Sequence, residues 1–201
     1  MVRTIDRLLG TVTRTVHVLR DNGIPCALGG DYAMYTRGGP LTEVHSEVDV
    51  LVRPADLARG LSALAEAGLR PPLPIADTER TTLYDHDIRV DLVYSPNYRP
   101  ITDALLARAE SLPVGPEAMP VVTVADFLVA ELIVADPHRL DFTHLLHIAR
   151  ELRAQVDWER VRAETAVSPY ARAFLGLLDD LGISAGHREL GSACEHGSTA
   201  V

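Results

Sequence analysis

The stretch from Cys26 to Val52, CALGGDYAMYTRGGPLTEVHSEVDVLV, decides the fold. It reads as the end of a short strand over Ile24–Leu28, a Gly29-Gly30 turn, and a short helix from Gly30-Asp31 to about Tyr35. Gly38-Gly39-Pro40 breaks that helix, and a strand follows over Glu47–Val52. Successive side chains of a strand point to opposite faces. Glu47 and Asp49 therefore share one face, and Val48 and Val50 the other. Two neighbouring carboxylates repel unless a cation lies between them or one is protonated. A hard divalent ion such as Mg²⁺ is the natural cation for oxygen ligands. A glycine turn that opens a helix offers backbone N–H groups to a phosphate. The combination points to metal-assisted chemistry on a nucleoside triphosphate.

Working outward, Ile5, Leu8, Leu9, Val12, Val16 and Leu19 recur at helical spacing, and Asp21-Asn22-Gly23 stops that helix. Pro54 stands near the start of a helix that runs to about Ala67 and closes at Gly68. Thr81–Tyr84 and Ile88–Tyr94 read as strands around the turn Asp85-His86-Asp87. Ile101–Ala109 is helical in pattern, and Met119–Val122 is extended. Thr123 is placed as an N-cap, with Asp126 three residues on, for a helix to about Ala135. Three more helical patterns follow near 137–154, 157–165 and 168–181. The order predicts an α/β core over residues 1–120 and a helical region over 121–183. The small, polar, aperiodic tail over 184–201 is expected to be disordered.

Asp91 lies in the strand Ile88–Tyr94, on the same face as Arg89. If that strand runs beside Glu47–Val52, then Glu47, Asp49 and Asp91 converge. Three clustered acids hold two divalent ions, which orient and neutralise a triphosphate. Asp91 is then either a ligand or the general base for an acceptor hydroxyl.

These residues together resemble the DNA polymerase β-like nucleotidyltransferase superfamily. The resemblance rests on Leu28-Gly29-Gly30, on Glu47-Val48-Asp49 with its apolar continuation Val50-Leu51-Val52, and on Val90-Asp91-Leu92-Val93. It extends over roughly residues 5–165 and is nearest to the small bacterial subgroup of AbiEii/MenT-like and minimal nucleotidyltransferases. It implies a mixed sheet flanked by helices, followed by a C-terminal helical bundle. It also implies two Mg²⁺ ions, an NTP donor, transfer of a nucleoside monophosphate to a hydroxyl-bearing acceptor, and release of pyrophosphate. On this reading Glu47, Asp49 and Asp91 are the catalytic and metal-binding residues. Gly29, Gly30, Arg37, Arg89 and Arg139 contact the nucleotide. The chain departs from the pattern at Glu47, where aspartate is commoner, and at Asp31, where a small hydroxyl residue is common. It also carries Glu131 in a helix where related toxins have lysine, so that Arg139 substitutes as the phosphate contact.

The bulk composition agrees. The chain has 201 residues, 47% of them hydrophobic, and a formal net charge of -9. That charge argues against a broad nucleic-acid footprint, and it favours a small-molecule or cationic acceptor over tRNA or protein. Lysine is absent, so a phosphate clamp must come from arginine, histidine or backbone. No apolar run reaches the ~20 residues needed to cross a bilayer, and the amphipathic N-terminus with Asp6 is a poor signal peptide. A cytoplasmic protein without a membrane partner is expected, with a homodimer compatible. Cys26 and Cys194 give no disulfide framework.

Blander roles compete at several positions. Arg37 is equally readable as a surface charge, and Arg89 as a structural partner of Asp91 or Asp87. His138, Asp141, His144 and His147 recur every three residues, which suits capping and interface contacts better than a closed metal site. His45 and Ser46 precede the acids and are weak substrate contacts. Two further function classes stay open: a catalytically inactive member of the same fold acting as a protein-binding, antitoxin-like or regulatory module, and a small-molecule binding domain with a structural acid cluster.

Overall fold

The computed structural model of the protein describes residues 2–40, 47–70, 78–138 and 140–184. Six strands, β1 (Cys26–Gly29), β2 (Glu47–Val52), β3 (Arg80–Asp85), β4 (Ile88–Val93), β5 (Glu110–Val114) and β6 (Glu117–Val121), form one mixed sheet in the order β3-β4-β2-β1-β6-β5. The pairs β2/β4 and β1/β6 are parallel, and the other neighbours are antiparallel. Strand β2 is the alternating strand that its sequence predicts. Val48, Val50 and Val52 are buried, while Glu47, Asp49 and Leu51 lie on the more open face.

The buried face packs under α1 (Val2–Asp21) and α3 (Leu57–Glu66). Gly60 lets α3 come close, because a Cβ there would stand 3.2 Å from Leu19 and 3.7 Å from Leu92. Gly23, at φ +65°, ends α1 with the left-handed cap, and the Ile24 N–H returns to the Leu19 carbonyl. Cys26 is buried in this core, and burial pushes its thiol up to about 11, as a small apolar residue rather than a nucleophile.

Helix α4 (Asp103–Arg108) precedes β5, and after β6 the described chain is helical: α5 (Val124–Ile133), α6 (Thr143–Glu151), α7 (Trp158–Thr165) and α8 (Pro169–Asp180). Helix α5 is apolar nearly all round, and it is buried on most sides because α7 and α8 pack against it. Its one deeply buried charge, Asp126, is held by Arg108 at 2.6 Å, Arg160 at 2.7 Å and Thr123 at 2.6 Å. The Thr123 hydroxyl accepts from the Asp126 N–H, and Asp157 caps α7 in the same way through the Arg160 N–H. Sheet and helices share one hydrophobic core that runs from Leu8 to Ile183.

Two elements differ from the sequence reading. Strand β5 is not legible in Glu110–Val114, where Pro113 interrupts the pattern. It is the edge strand, where a missing N–H is tolerated. The helix expected from 137 begins only at Thr143: Asp136 Oδ1 accepts from the His138 N–H in a local turn, and Asp141 Oδ1 accepts from the Thr143 N–H where the helix starts. The tail expected to be disordered lies beyond Ser184, outside the described residues.

Candidate active site

One row of residues crosses four strands. Gly29 of β1 pairs with Asp49 of β2, Asp49 with Asp91 of β4, and Asp91 with Thr82 of β3. Glu47 sits two residues before Asp49, opposite Arg89. The glycine turn therefore lies directly beside the central acid. Helix α2 (Gly30–Thr36) starts at the end of β1, and Gly30 has φ +61°. A Cβ at Gly30 would fall 2.2 Å from Asp49 Oδ2, so any other residue would strain the backbone and push the Asp49 carboxylate aside.

Asp49 is the most perturbed acid of the row. Burial, then the neighbouring carboxylates of Asp91 and Glu47, hold its carboxyl up to about 6 against the opposing pull of Arg80 and Arg89. Asp91 is only 1% exposed, and its charge is met on all sides. Arg89 donates to both of its oxygens, Nε to Oδ1 at 3.0 Å and Nη2 to Oδ2 at 2.7 Å. The Thr82 hydroxyl donates to Oδ1 at 2.6 Å, and Arg80 Nη1 lies 3.4 Å from Oδ2. Arg89 also reaches Glu47 at 3.4 Å. Arg80 and Thr82 were not legible as site residues. Neither stands in a glycine turn or an acid-apolar-acid triplet, and only the β3/β4 register brings them to Asp91.

Arg37 has a task other than the expected phosphate contact. Its side chain is 2% exposed, and it points to the end of β6. Nε donates to the Val122 carbonyl at 2.7 Å, Nη2 to the Val121 carbonyl at 3.1 Å, and Nη1 to Glu110 at 2.8 Å. These carbonyls stand where the β6 ladder ends, so the guanidinium ties α2 to the β5/β6 edge. Arg37→Ala is expected to lower stability by about 2–3 kcal/mol, since it orphans buried acceptors. NTP affinity of the folded variant should stay within about 3-fold of wild type; a larger loss, read by titration below the melting temperature, would return Arg37 to the nucleotide.

Asp31 lies in the first turn of α2, where His144 Nε2 of α6 stands 2.8 Å from its Oδ1. The ring of His144 also packs edge-on against Phe127. The histidine series on α6 thus contributes an interface contact that joins the glycine turn to the helical region. Arg139, His45 and Ser46 lie outside the described residues. A cavity of about 300 Å³ opens beside Gly30 and Asp49 and runs between the sheet and α5. Its walls include apolar Leu51, Ile101 and Phe127, with Arg80, Glu79 and Glu131 among the polar groups.

No protein-family model and no curated protein matches the chain in sequence. Solved structures do match. The solution structure of the antibiotic-resistance factor ANT(2'')-Ia superposes with a TM-score of 0.59 at 13% identity, covering 87% of this chain and 96% of that one. The crystal structure of ANT(2'')-Ia in complex with adenylyl-2''-tobramycin gives 0.58 at 12% identity, over 83% and 98%. A Thermotoga maritima protein assigned as a nucleotidyltransferase gives 0.53 at 15% identity, over 70% and 91%. The fold is the nucleotidyltransferase fold. At these identities the likeness is one of architecture: a mixed sheet with helices on its buried face and a helical C-terminal region, as the sequence resemblance implies.

The sequence resemblance implies divalent cations on this row of acids, and the donors of the row can be tested for fit. The oxygen donors are of the right hardness. The raised Asp49 carboxyl records burial first and the neighbouring carboxylates second, and a cation on it would offset both. Glu47, half exposed, and Asp49 fit that role. Asp91 does not have a free oxygen in this arrangement, and among the described residues no three Asp, Glu, His or Cys side chains form a ready ligand group. The three acids are neighbours along the strands, as the sequence predicts, but they do not converge as three open ligands, because arginines compensate the deepest of them.

Proposed function

We propose that the protein is a Mg²⁺-dependent nucleotidyltransferase that moves a nucleoside monophosphate from an NTP to a hydroxyl on a small molecule. The observation that carries this reading is the Gly29–Asp49 pairing, with Gly30 left without a Cβ against Asp49 Oδ2. A phosphate-seating turn and an acid that needs a cation share one point of the sheet. In this reading residues 1–120 form the catalytic core, and the helices over 121–183 close the acceptor side. The subgroup reading, small AbiEii/MenT-like and minimal nucleotidyltransferases, belongs to the same proposal.

Glu47 and Asp49 would hold Mg²⁺, which when bound supplies charge neutralisation on the triphosphate. The backbone of the Gly29-Gly30 turn seats phosphate oxygens and orients them for in-line displacement. The acceptor oxygen forms a bond to the α-phosphorus, the bond from that phosphorus to the pyrophosphate oxygen breaks, and the hydroxyl proton leaves to base or solvent. Arg80, at the cavity wall, is placed to meet negative charge on the donor. The cavity beside Asp49 suits an acceptor of limited size, and its acidic members together with the net charge of -9 favour a cationic one. That ANT(2'')-Ia has been captured with an adenylylated antibiotic supports a small-molecule acceptor here.

The test is thermal shift with each of the four NTPs, with and without Mg²⁺. A Mg²⁺-dependent rise with one NTP is expected, about 2.7 kcal/mol at 100 times the dissociation constant. No rise with any NTP removes the enzyme reading. One observation favours the alternative, a catalytically inactive module of this fold that binds a protein: both oxygens of Asp91 are already taken. Absence of nucleotide binding together with capture of a specific partner would select it.

A further inference from the structure

The deepest acid of the row is already neutralised by the chain itself. Asp91 is buried, and Arg89 spans both of its oxygens in a bidentate fork while reaching Glu47 from the strand position opposite. The fork is braced from behind, because Thr82 donates to Oδ1 and Arg80 approaches Oδ2 from β3. A guanidinium is permanently charged and matches a carboxylate bidentately. Breaking a buried pair of this kind leaves an uncompensated charge and is strongly unfavourable. A divalent ion at Asp91 would have to expel Arg89 and would then stand beside Arg80 as well. Asp49 lacks such a fork: its carboxylate borders the glycine turn and the cavity, and among the described residues no arginine hydrogen-bonds it.

Resting on the nucleotidyltransferase reading above, we infer that Arg89 takes the place of a second divalent cation, so that the site loads a single ion, on Asp49 and Glu47. The second positive charge is built into β4 and held at the sheet by Asp91. Asp91 is then a positioning residue for Arg89 and not a metal ligand. The expectation of two Mg²⁺ ions is replaced by one ion and one guanidinium. Two features set this apart from a plain structural salt bridge. Arg89 lies two residues from Asp91 on the same face as Glu47 and Asp49, and its side chain is 38% exposed toward that face.

The test counts ions. The 201-residue protein, in excess over the α,β-methylene analogue of whichever NTP stabilises it in the thermal-shift test, is equilibrated with Mn²⁺ and passed through an ultrafiltration membrane, and the Mn²⁺ and analogue retained with the protein are measured. Wild type is expected to retain one Mn²⁺ per retained analogue. Arg89→Gln, which removes the charge, is expected to retain two, and Arg89→Lys, which restores a cation, one. In Asp91→Asn the count should stay at one, because the carboxylate removed holds Arg89 and not an ion. Two ions per analogue on wild type overturn the inference while leaving the nucleotidyltransferase reading intact. A count of one in Arg89→Gln also overturns it, because Arg89 is then not what limits loading. Loss of the ion in Asp91→Asn overturns it by making Asp91 a ligand. No analogue retained by wild type overturns the parent reading instead. If Arg89→Gln does not fold, the wild-type and Asp91→Asn counts still decide.

Discussion

Asp49→Asn is expected to reduce nucleotidyl transfer by at least about a thousandfold and, at the same time, to raise the melting temperature of the ligand-free protein at pH 7.5. The first effect follows from removing the charge that would hold the ion, an interaction of several kcal/mol in the transition state. The second follows from the strain the carboxylate imposes. Its carboxyl is held up to about 6 by burial and by Asp91 and Glu47, so at neutral pH the folded chain keeps a charge it would rather protonate. Against an ordinary carboxylate this amounts to about 2–3 kcal/mol at most, or roughly 4–12 °C for a chain of this size.

The sign gives a pH signature. Between about pH 4 and 6 the folded state binds the Asp49 proton and the unfolded state does not, so wild-type stability falls as pH rises through that window. Burial raises the carboxyls of Asp85 and Asp126, but Thr11, His86 and Arg14 around the one and Arg108, Thr123 and Arg160 around the other together hold them below the usual carboxylate range, so they act with the opposite sign and mainly below that window. The advantage of Asp49→Asn should therefore be near zero at pH 4 and complete above 6. Urea melts across that range check it. A variant that is inactive but less stable than wild type at pH 7.5 would mean that Asp49 is a satisfied structural acid.

Much of this site was written locally, and local signals were readable. The alternation in Glu47–Val52 fixes which side chains face the core, and the strand has the bounds its pattern predicts. Thr123 and Asp157 cap their helices because a hydroxyl or carboxylate beside the first free N–H groups is a short-range matter. What was not readable depends on pairing across the sheet or between halves of the chain. Arg80 and Thr82 join the site only through register. Arg37 looks the same in sequence whether it meets a phosphate or the Val121 and Val122 carbonyls 84 and 85 residues on. The same holds for Asp31, whose partner His144 is 113 residues away. An acid after the glycine pair looks hostile to phosphate in sequence, but in the fold a histidine on α6 engages it. The edge strand β5 was hidden for a different reason: edges accept proline and exposed polar residues, which erase the β pattern.

Gly30→Ala carries the second large effect, because one methyl group would collide with the central acid. At φ +61° any L-residue is strained by about 1–2 kcal/mol. Gly38, at φ +89° with nothing within 4 Å of its would-be Cβ, carries a like backbone strain without a neighbour and serves as the control. Gly38→Ala should cost about 1 kcal/mol and leave NTP binding in place. Gly30→Ala should cost more, because its Cβ would stand 2.2 Å from Asp49 Oδ2 and the carboxylate must turn away. Turning it moves the acid that borders both the glycine turn and the cavity, and a displacement of about 1 Å in such a group lowers turnover by about a hundredfold. The two contributions separate in a double-mutant cycle. In an Asp49→Ala background the collision is gone, and Gly30→Ala should then destabilise no more than Gly38→Ala does. Chemical unfolding of the four proteins measures the coupling, and Mg²⁺-dependent NTP binding by the single variants measures the site. If Gly30→Ala binds NTP and turns over like wild type, the turn and Asp49 do not work together, and the glycine is only a bend in the chain.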